Sequence, residues 1–453
     1  MALPLSQLNY PLFAGGASSM GRNSKSILVK RVVSDFEREP LIRPFGFKGN
    51  AMTNVWQTVA LMESDSGKSK IGLGTQNVLW SDAKVFAGHS ENGGNAIMYA
   101  MTDRALQMME GTSFSDPIVL LEKILPEVYG YGKQITRNPD LRKTFALNAL
   151  VPVDNAAWLL YAAENGISQF DKMIPDIYRP ALSARQKKVA SIPALGYGTA
   201  MSEIKALADQ GFFIMKIKIG APGNQKEMLE KDKEFLTAIH KTIGHYQTPH
   251  TVDGKIPYYF DANGRYEKKE TLLRFLEHAK KIGALEQIAV VEEPFGEHNN
   301  EHVGDITDLG PRVAADESAH TDEDALTRIK QGYNCIALKA IAKTLSMTLK
   351  IAKVADDHNI PCFCADLTVN PILVEWNKCV AARLKPFPEL PDLGLQETNG
   401  WQNYRNWDKM KEYHPKKNAK WTKSVKGVYR TDDSFFRESG GIFLRSEHYE
   451  GMF

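Results

Sequence analysis

From residue 189 onward, short apolar segments alternate with helical segments, and this alternation restricts the fold more than any other feature. The apolar segments are Val189–Leu195, Phe213–Ile219, Ile256–Phe260, Ile288–Val291, Arg312–Ala315, Asn334–Leu338, Pro361–Ala365 and Leu393–Gln396. Strands that alternate with helices form right-handed βαβ units and a parallel sheet. Seven or eight such units in succession favour a closed (β/α)8-type barrel, TIM-like in outline, over a doubly wound sheet.

Charged residues stand at the ends of successive apolar segments. Asp261, Glu292, Asp316, Lys339 and Asp366 are separated by 31, 24, 23 and 27 residues, which is about one barrel unit each. The step before Asp261 is longer, and residues 245–255 within it are predicted to be a surface insertion. Side chains at the carboxyl ends of parallel barrel strands converge on one face, so these residues are expected to meet.

The first third of the chain has another organisation. Ile27–Val33 is predicted to be a strand, and a loop is predicted around Arg43–Gly49. Val55–Met62 and Ile71–Gly74, separated by turn residues, predict a β-hairpin, and helical patterns follow near 93–110, 115–126 and 139–165. We therefore predict an arm (1–26), a small α+β domain (27–150), a barrel (151–398) and a tail (399–453). The tail is expected to fold back over the α+β domain, with an independent appendage as the alternative.

Composition excludes several classes of protein. A net charge of +2 gives no reason to expect nucleic acid or an anionic membrane as a partner. No apolar run approaches the roughly 20 residues of a membrane helix, and the first residues lack a signal-peptide pattern, so a cytoplasmic location is predicted. Four cysteines, two of them in a Cys-x-Cys pair, indicate buried thiols more than disulfides, with a metal role as the alternative.

Three of the strand-end residues are carboxylates on consecutive units. Asp261, Glu292 and Asp316 would repel one another strongly if they met without compensation. A hard divalent cation resolves this repulsion, and the all-oxygen set predicts Mg²⁺, with Mn²⁺ as an alternative. Each acid taken alone can equally be a surface residue or a helix cap, but all three at consecutive strand ends favour a metal site.

Lysines flank these carboxylates on both sides. Lys216 and Lys218 share one face of a strand because side chains alternate in β-structure. Lys339 follows the strand on the other side of the acidic set. Two lysines in an apolar strand are costly without an anion opposite them, although the pair alone also fits a charged edge strand. Cations on two sides of a metal-bound carboxylate suit removal of the adjacent carbon-bound proton.

These motifs together resemble the enolase superfamily. The matching segments are Lys216-Ile-Lys218, Asp261-Ala-Asn263, Glu292-Glu-Pro294, Ala315-Asp-Glu-Ser318 and Ile336-Ala-Leu-Lys339. A lysine at the sixth strand looks like the muconate-lactonizing branch of the mandelate racemase and muconate-lactonizing-enzyme group. The resemblance implies that the α+β domain is a capping domain, that the substrate is a small carboxylate, and, by analogy, that the chain forms a homo-oligomer.

The resemblance also implies roles for individual residues. Lys218 would be a base, Lys216 a carboxylate-binding electrophile and Lys339 the acid or base on the opposite face. Asp261, Glu292 and Asp316 would be metal ligands. Candidates for supporting or substrate contacts are Asn263, Glu293, Asp366 and His298 from the barrel, and Arg43, Phe45, Phe47 and Lys48 from a capping loop.

The chain departs from its relatives at three places. Glu293 stands where many relatives carry Gln, and Asp366 stands where relatives of this branch often have Glu. The Asp-x-Asp with which dipeptide epimerases hold a substrate amine is not evident in Gln396–Asn399. This last departure argues against a dipeptide epimerase.

The predicted reaction is abstraction of the α-proton of a carboxylate through a metal-stabilised enediolate, giving racemisation, epimerisation or cycloisomerisation. The alternative within this chemistry is β-elimination, as in a sugar-acid dehydratase or an o-succinylbenzoate synthase. Two other classes stay open. One is a Schiff-base aldolase-like barrel, which leaves the carboxylates unexplained, and the other is a catalytically silent relative.

Overall fold

A computed structural model describes residues 24–47, 49–297 and 303–453. The N-terminal part contains an antiparallel sheet in the order β3-β2-β1-β4. Its strands are β1 (Ile27–Phe47), β2 (Asn50–Ser64), β3 (Ser69–Gln76) and β4 (Ser113–Phe114). Its helices are α1 (Val78–Ser81), α2 (Ala83–Met109), α3 (Pro117–Thr136) and α4 (Lys143–Glu164).

The predicted hairpin is confirmed as β2 and β3, but the predicted loop at Arg43–Gly49 is wrong. β1 extends to Phe47, and after an irregularity between Pro40 and Phe45 it pairs again with the start of β2, with Phe45 opposite Met52. The reversal of direction lies beyond Phe47, where Gly49 has a φ of 80° that favours glycine.

Helix α4 joins the N-terminal sheet to the barrel. A Cβ added at Gly72 of β3 would lie 2.0 Å from the carbonyl oxygen of Pro152, so the strand and the helix are in backbone contact. On its other side, Asp154 accepts hydrogen bonds from the backbone N–H and the hydroxyl of Ser346. A short helix, α5 (Phe170–Met173), follows α4.

The second sheet contains eight parallel barrel positions, so the predicted barrel with an α+β cap is confirmed. Its strands are β5 (Lys188–Ile192), β6 (Ala194–Leu195), β7 (Met215–Lys218), β8 (Tyr258–Asp261), β9 (Ile288–Glu292), β10 (Arg312–Ala315), β11 (Cys335–Leu338), β12 (Cys362–Cys364) and β13 (Gly394–Glu397). The first position consists of β5 and β6 in succession. Because β6 pairs with β7 and β13 pairs with β5, the barrel is closed.

Helices alternate with the barrel strands at nearly the predicted positions. They are α6 (Met201–Asp209), α7 (Gln225–Ile243), α8 (Lys269–Lys281), α9 (Asp322–Lys330), α10 (Leu345–Asp357) and α11 (Pro371–Ala381). The tail adds α12 (Gly400–Asn403), α13 (Trp407–Glu412), β14 (Ser424–Val425), β15 (Val428–Arg430), α14 (Asp433–Glu438) and α15 (Glu447–Glu450). Single 3-10 turns cover Asp176–Leu182, Leu285–Gln287, Lys420–Thr422 and Ser439–Gly441.

The tail contacts both parts of the molecule. Strand β15 pairs antiparallel with β5, and Ser191 donates its N–H to the carbonyl of Gly427 at 2.8 Å. Tyr404 accepts a hydrogen bond from Gln57 of β2 at 2.8 Å. The tail therefore joins the barrel wall to the N-terminal sheet, while the domain limits at 26, 150 and 398 stay predictions.

Two further sequence expectations concern membranes and thiols. Within the described ranges, no helix is long and apolar enough to span a membrane. All four cysteines are buried free thiols, which confirms that prediction. Burial raises the pKa of each thiol, so these side chains behave as small apolar groups.

Candidate active site

The strand ends bring the predicted lysines and acids to one level of the barrel. Lys218 pairs in register with Asp261, and Asp261 with Glu292 on the next strand. Asp316 and Lys339 directly follow β10 and β11. Side chains of these residues, Glu292 excepted, line a cavity of about 50 Å³. Phe45, Asn77, Leu79 and Trp80 close it from the N-terminal part.

Lys216 is held by three carboxylates. Its Nζ lies 2.9 Å from Asp261 Oδ2, 3.0 Å from Glu292 Oε1 and 3.2 Å from Glu397 Oε2, and the residue is 3% exposed. Burial alone would lower the pKa of Lys216, but the three acids outweigh burial and raise it well above its usual value. The surrounding acids therefore favour the ammonium form of Lys216.

Lys218 is the more accessible of the two β7 lysines. Its Nζ lies 2.5 Å from Asp261 Oδ2 and 2.6 Å from Asn263 Oδ1. Burial favours the neutral acid at Asp261, yet Lys216 and Lys218 together lower its pKa to about 2. Asn263 has a φ of 44°, a left-handed conformation that asparagine tolerates. Its Nδ2 donates to Glu317 Oε1 at 3.0 Å.

Lys339 lies on the other side of the acidic set. Its Nζ is 2.5 Å from Asp316 Oδ2 and 4.3 Å from the centre of the Trp80 ring. Burial opposes the charged form, but Asp316 outweighs it and raises the pKa of Lys339. Lys343 donates to the carbonyl of Asp316 at 2.6 Å and lies 3.3 Å from its carboxylate. Despite burial, Lys339 and Lys343 lower the pKa of Asp316 far below its usual range.

The oxygen atoms of the buried carboxylates are suitable ligands for a hard cation. One oxygen each of Glu292, Asp316 and Glu317 lies within 4.8 Å of the others, and all three residues are buried. Asp261 joins Glu292 through the shared ammonium of Lys216. A set of buried carboxylate oxygens around a small cavity fits Mg²⁺ or Mn²⁺ and no soft metal.

Two other predicted acids lie at the site in different ways. Asp366 lines the cavity and accepts the N–H groups of Asn399 and Val369, and burial raises its pKa to about 7. Glu293 accepts the N–H of Asp316 and the hydroxyl of Ser318. Burial, with Glu317 nearby, raises the pKa of Glu293 to about 8. Glu293 thus supports the loop that carries Asp316.

The structure places the residues predicted as capping-loop contacts in different surroundings. Arg43 is exposed and its guanidinium lies 3.4 Å from Glu203, so Arg43 is not at the cavity. Phe45 lines the cavity. Lys48 and His298, and the side chain of Phe47, lie outside the described residues.

Sequence reasoning missed several cavity residues. Glu317 follows the predicted ligand Asp316 directly, but its sequence position alone does not predict a place at the cavity. Glu397 and Asn399 line the cavity from the end of β13, where no acidic motif was recognised. Trp80 and Asn77 come from a distant segment, and no spacing rule in the barrel points to them.

Fold and site together define a capped (β/α)8 barrel with lysines and carboxylates at the carboxyl ends of its strands. Residues 199–417 match the family model described as enolase C-terminal domain-like. This match, together with the fold shared with solved structures, confirms the predicted resemblance to the enolase superfamily. Among curated proteins, no sequence matches the chain.

Solved structures of the mandelate racemase and muconate-lactonizing type share the fold. A dipeptide epimerase from Enterococcus faecalis V583, in complex with Mg and L-Leu-L-Tyr, is 17% identical with a TM-score of 0.60, over 83% of this chain and 92% of that chain. A mandelate racemase/muconate lactonizing protein from Herpetosiphon aurantiacus is 14% identical with a TM-score of 0.61, over 89% and 96%. The L-Ala-D/L-Glu epimerase from Bacillus subtilis is 17% identical with a TM-score of 0.57, over 84% and 90%.

Proposed function

We propose that this protein is an isomerase that abstracts the α-proton of a small carboxylate substrate, giving racemisation, epimerisation or cycloisomerisation. The observation that carries the proposal is the placement of Lys218 and Lys339. These lysines come from β7 and β11, on either side of the acids of β8, β9 and β10, and both line the same cavity. A substrate carbon above the acids would have one lysine on each face.

Asp261, Glu292 and Asp316 would hold a divalent cation, Mg²⁺ first and Mn²⁺ as the alternative. When bound, the cation supplies positive charge that stabilises the negative charge developing on the substrate carboxylate. The structures of dipeptide epimerases from Enterococcus faecalis, Cytophaga hutchinsonii and Methylococcus capsulatus were solved with Mg, which supports this choice.

The three lysines have different roles in the proposed reaction. Lys216 contacts three carboxylates, so it supplies a positive charge that attracts the substrate carboxylate and does not take a proton. Lys218, the least buried of the three, takes the α-proton. Lys339, whose pKa is raised by Asp316, returns a proton from the opposite face. The Trp80 ring beside Lys339 limits the access of water to that proton.

Exchange of the α-proton in D₂O, followed by NMR, tests the proposal. Pools of N-acyl amino acids, dipeptides, hydroxy acids and sugar acids would be incubated with the protein and Mg²⁺. Deuterium should enter a Cα position, and Lys218→Ala should slow exchange by roughly 10²–10⁴-fold. Lys226→Ala, which removes an exposed lysine of α7, should leave exchange unchanged.

The products separate the alternatives. An epimer or a ring-closed isomer supports the isomerase, and an unsaturated product supports β-elimination, because the fate of the carbanion depends on the β-substituent. Reduction by borohydride that links substrate to a lysine would favour the aldolase-like class. Exchange that persists in Lys218→Ala would contradict the assignment of the base, and no exchange in any pool would count against the proposal as a whole.

A further inference from the structure

Glu317 is a buried carboxylate that forms no ion pair with any other residue that the structure describes. The residue is 3% exposed, and its Oε1 accepts the Nδ2 hydrogen bond of Asn263 at 3.0 Å. Its Oε2 has no hydrogen-bond partner among the described residues. An ionised carboxylate removed from water is unfavourable unless a cation or several donors face it.

The neighbouring acids, unlike Glu317, form ion pairs with lysines. Asp261, Glu292 and Asp316 each have a lysine Nζ within 3.0 Å of a carboxylate oxygen. Lys343, the other ammonium group nearby, donates to Asp316 and to a backbone carbonyl. Across the described ranges, no ion pair reaches Glu317, so its charge is left for something that enters the site.

Glu317 is also positioned beside the acids that would bind the cation. A Glu317 oxygen lies within 4.8 Å of oxygens of both Glu292 and Asp316, and Glu317 lines the cavity next to Asp316. The hydrogen bond from Asn263 occupies Oε1 and fixes the carboxylate, which leaves Oε2 available. A buried carboxylate with one unpartnered oxygen, close to two other buried acids, is the arrangement that a hard cation completes.

We propose that Glu317 is a further direct ligand of the divalent cation, in addition to the three strand-end acids. The inference rests on the proposed function only for the presence of that cation. It extends the ligand set from the strand ends to the loop that follows β10, so that adjacent residues, Asp316 and Glu317, both bind the ion.

Binding of Mn²⁺ to the full-length protein, freed of metal by a chelator, tests this inference without any substrate. Electron paramagnetic resonance measures free Mn²⁺ during the titration, and circular dichroism checks that each variant is folded. Glu317→Gln and Glu317→Asp should each weaken binding roughly tenfold or more, as should Glu292→Gln. Asp366→Asn removes another buried acid of the same cavity and should change binding less than about threefold.

The variants separate a ligand from a nearby charge. Glu317→Asp keeps the charge and shortens the side chain, so normal binding by Glu317→Asp with weak binding by Glu317→Gln would overturn direct ligation. Normal binding by both, with loss in Glu292→Gln, would overturn any role of Glu317 at the cation. If the unmodified protein binds no Mn²⁺, the inference fails together with the cation of the proposed function, while the exchange assay still judges the proton chemistry.

Discussion

Asp154, at the contact between α4 and the barrel, should make the stability of this protein fall as the pH rises from about 4 to about 7. The residue is 4% exposed. Burial raises its pKa from 3.8 to about 7, although the hydroxyl and N–H of Ser346 favour the ionised form. The unfolded chain, whose carboxyl group is in water, ionises at the lower pH.

The sign and the size follow from this difference in pKa. Between the two pKa values the folded protein binds the proton that the unfolded chain has lost, so stability decreases with rising pH and levels off above the folded pKa. At 1.36 kcal/mol per unit, a rise from 3.8 to about 7 corresponds to about 4 kcal/mol. Replacing Asp154 by Asn removes the titrating group, so the free energy of unfolding of the variant should not decrease in this way.

Urea unfolding of both proteins across this pH range measures the effect. The free energy of unfolding of Asp154→Asn minus that of the unmodified protein should increase by about 4 kcal/mol between about pH 4 and about pH 8. Asp432→Asn is the control: the Ser434 hydroxyl lowers the pKa of Asp432 below 3.8, so its titration affects stability only below about pH 4 and the difference should stay nearly constant across this range. A difference for Asp154→Asn that stays constant with pH would refute the reasoning.

Two further pairs of variants test the packing by the same unfolding measurement. Gly72→Ala places a methyl group 2.0 and 2.2 Å from backbone atoms of α4 and should lower the free energy of unfolding by at least about 3 kcal/mol. In Gly88→Ala the added methyl group of α2 meets open space, so the free energy of unfolding should stay the same or rise by about 0.5–1 kcal/mol. Equal effects would show that β3 can move away from α4. Arg383 is 1% exposed and contacts Asp171 with two nitrogens at 2.6 and 2.8 Å. Arg383→Ala should lower the free energy of unfolding by about 2–3 kcal/mol, which is less than for a fully buried pair because Asp171 is partly exposed. Lys353→Ala, which removes a surface ion pair, should lower it by less than about 0.5 kcal/mol. If Arg383→Ala lowered stability as little as Lys353→Ala, burial of the Arg383 side chain would not strengthen its ion pair, and the reasoning would be wrong.

The barrel was predictable because its geometry repeats. Each strand-helix unit must place its strand end on the same face, so the spacing of Asp261, Glu292 and Asp316 carried information about three-dimensional proximity. Helix limits were predicted nearly to the residue where capping chemistry is local, as at Asn224 before α7 and Asn370 before α11. These features depend on neighbouring residues and on a regular architecture.

The remainder of the site depends on irregular backbone and on docking. The loops after β10 and β11 have no periodicity, so spacing did not predict that Glu317 and Lys343 would face the acids. Trp80 reaches Lys339 only because the N-terminal part docks on the barrel. Arg43 lies beside Glu203 and not at the cavity, in the stretch between Pro40 and Phe45 where the pairing of β1 with β2 is irregular and no spacing rule applies.

The interruption of the first barrel position at Pro193 affects how the chain completes its fold during synthesis. Pro193 separates β5 from β6, and only β6 pairs with β7. The other edge of β5 is covered by β15, which is made much later. Until residues 428–430 leave the ribosome, the nascent barrel exposes a strand edge on which another chain can pair. We expect this edge of β5 to favour aggregation until β15 has paired with it.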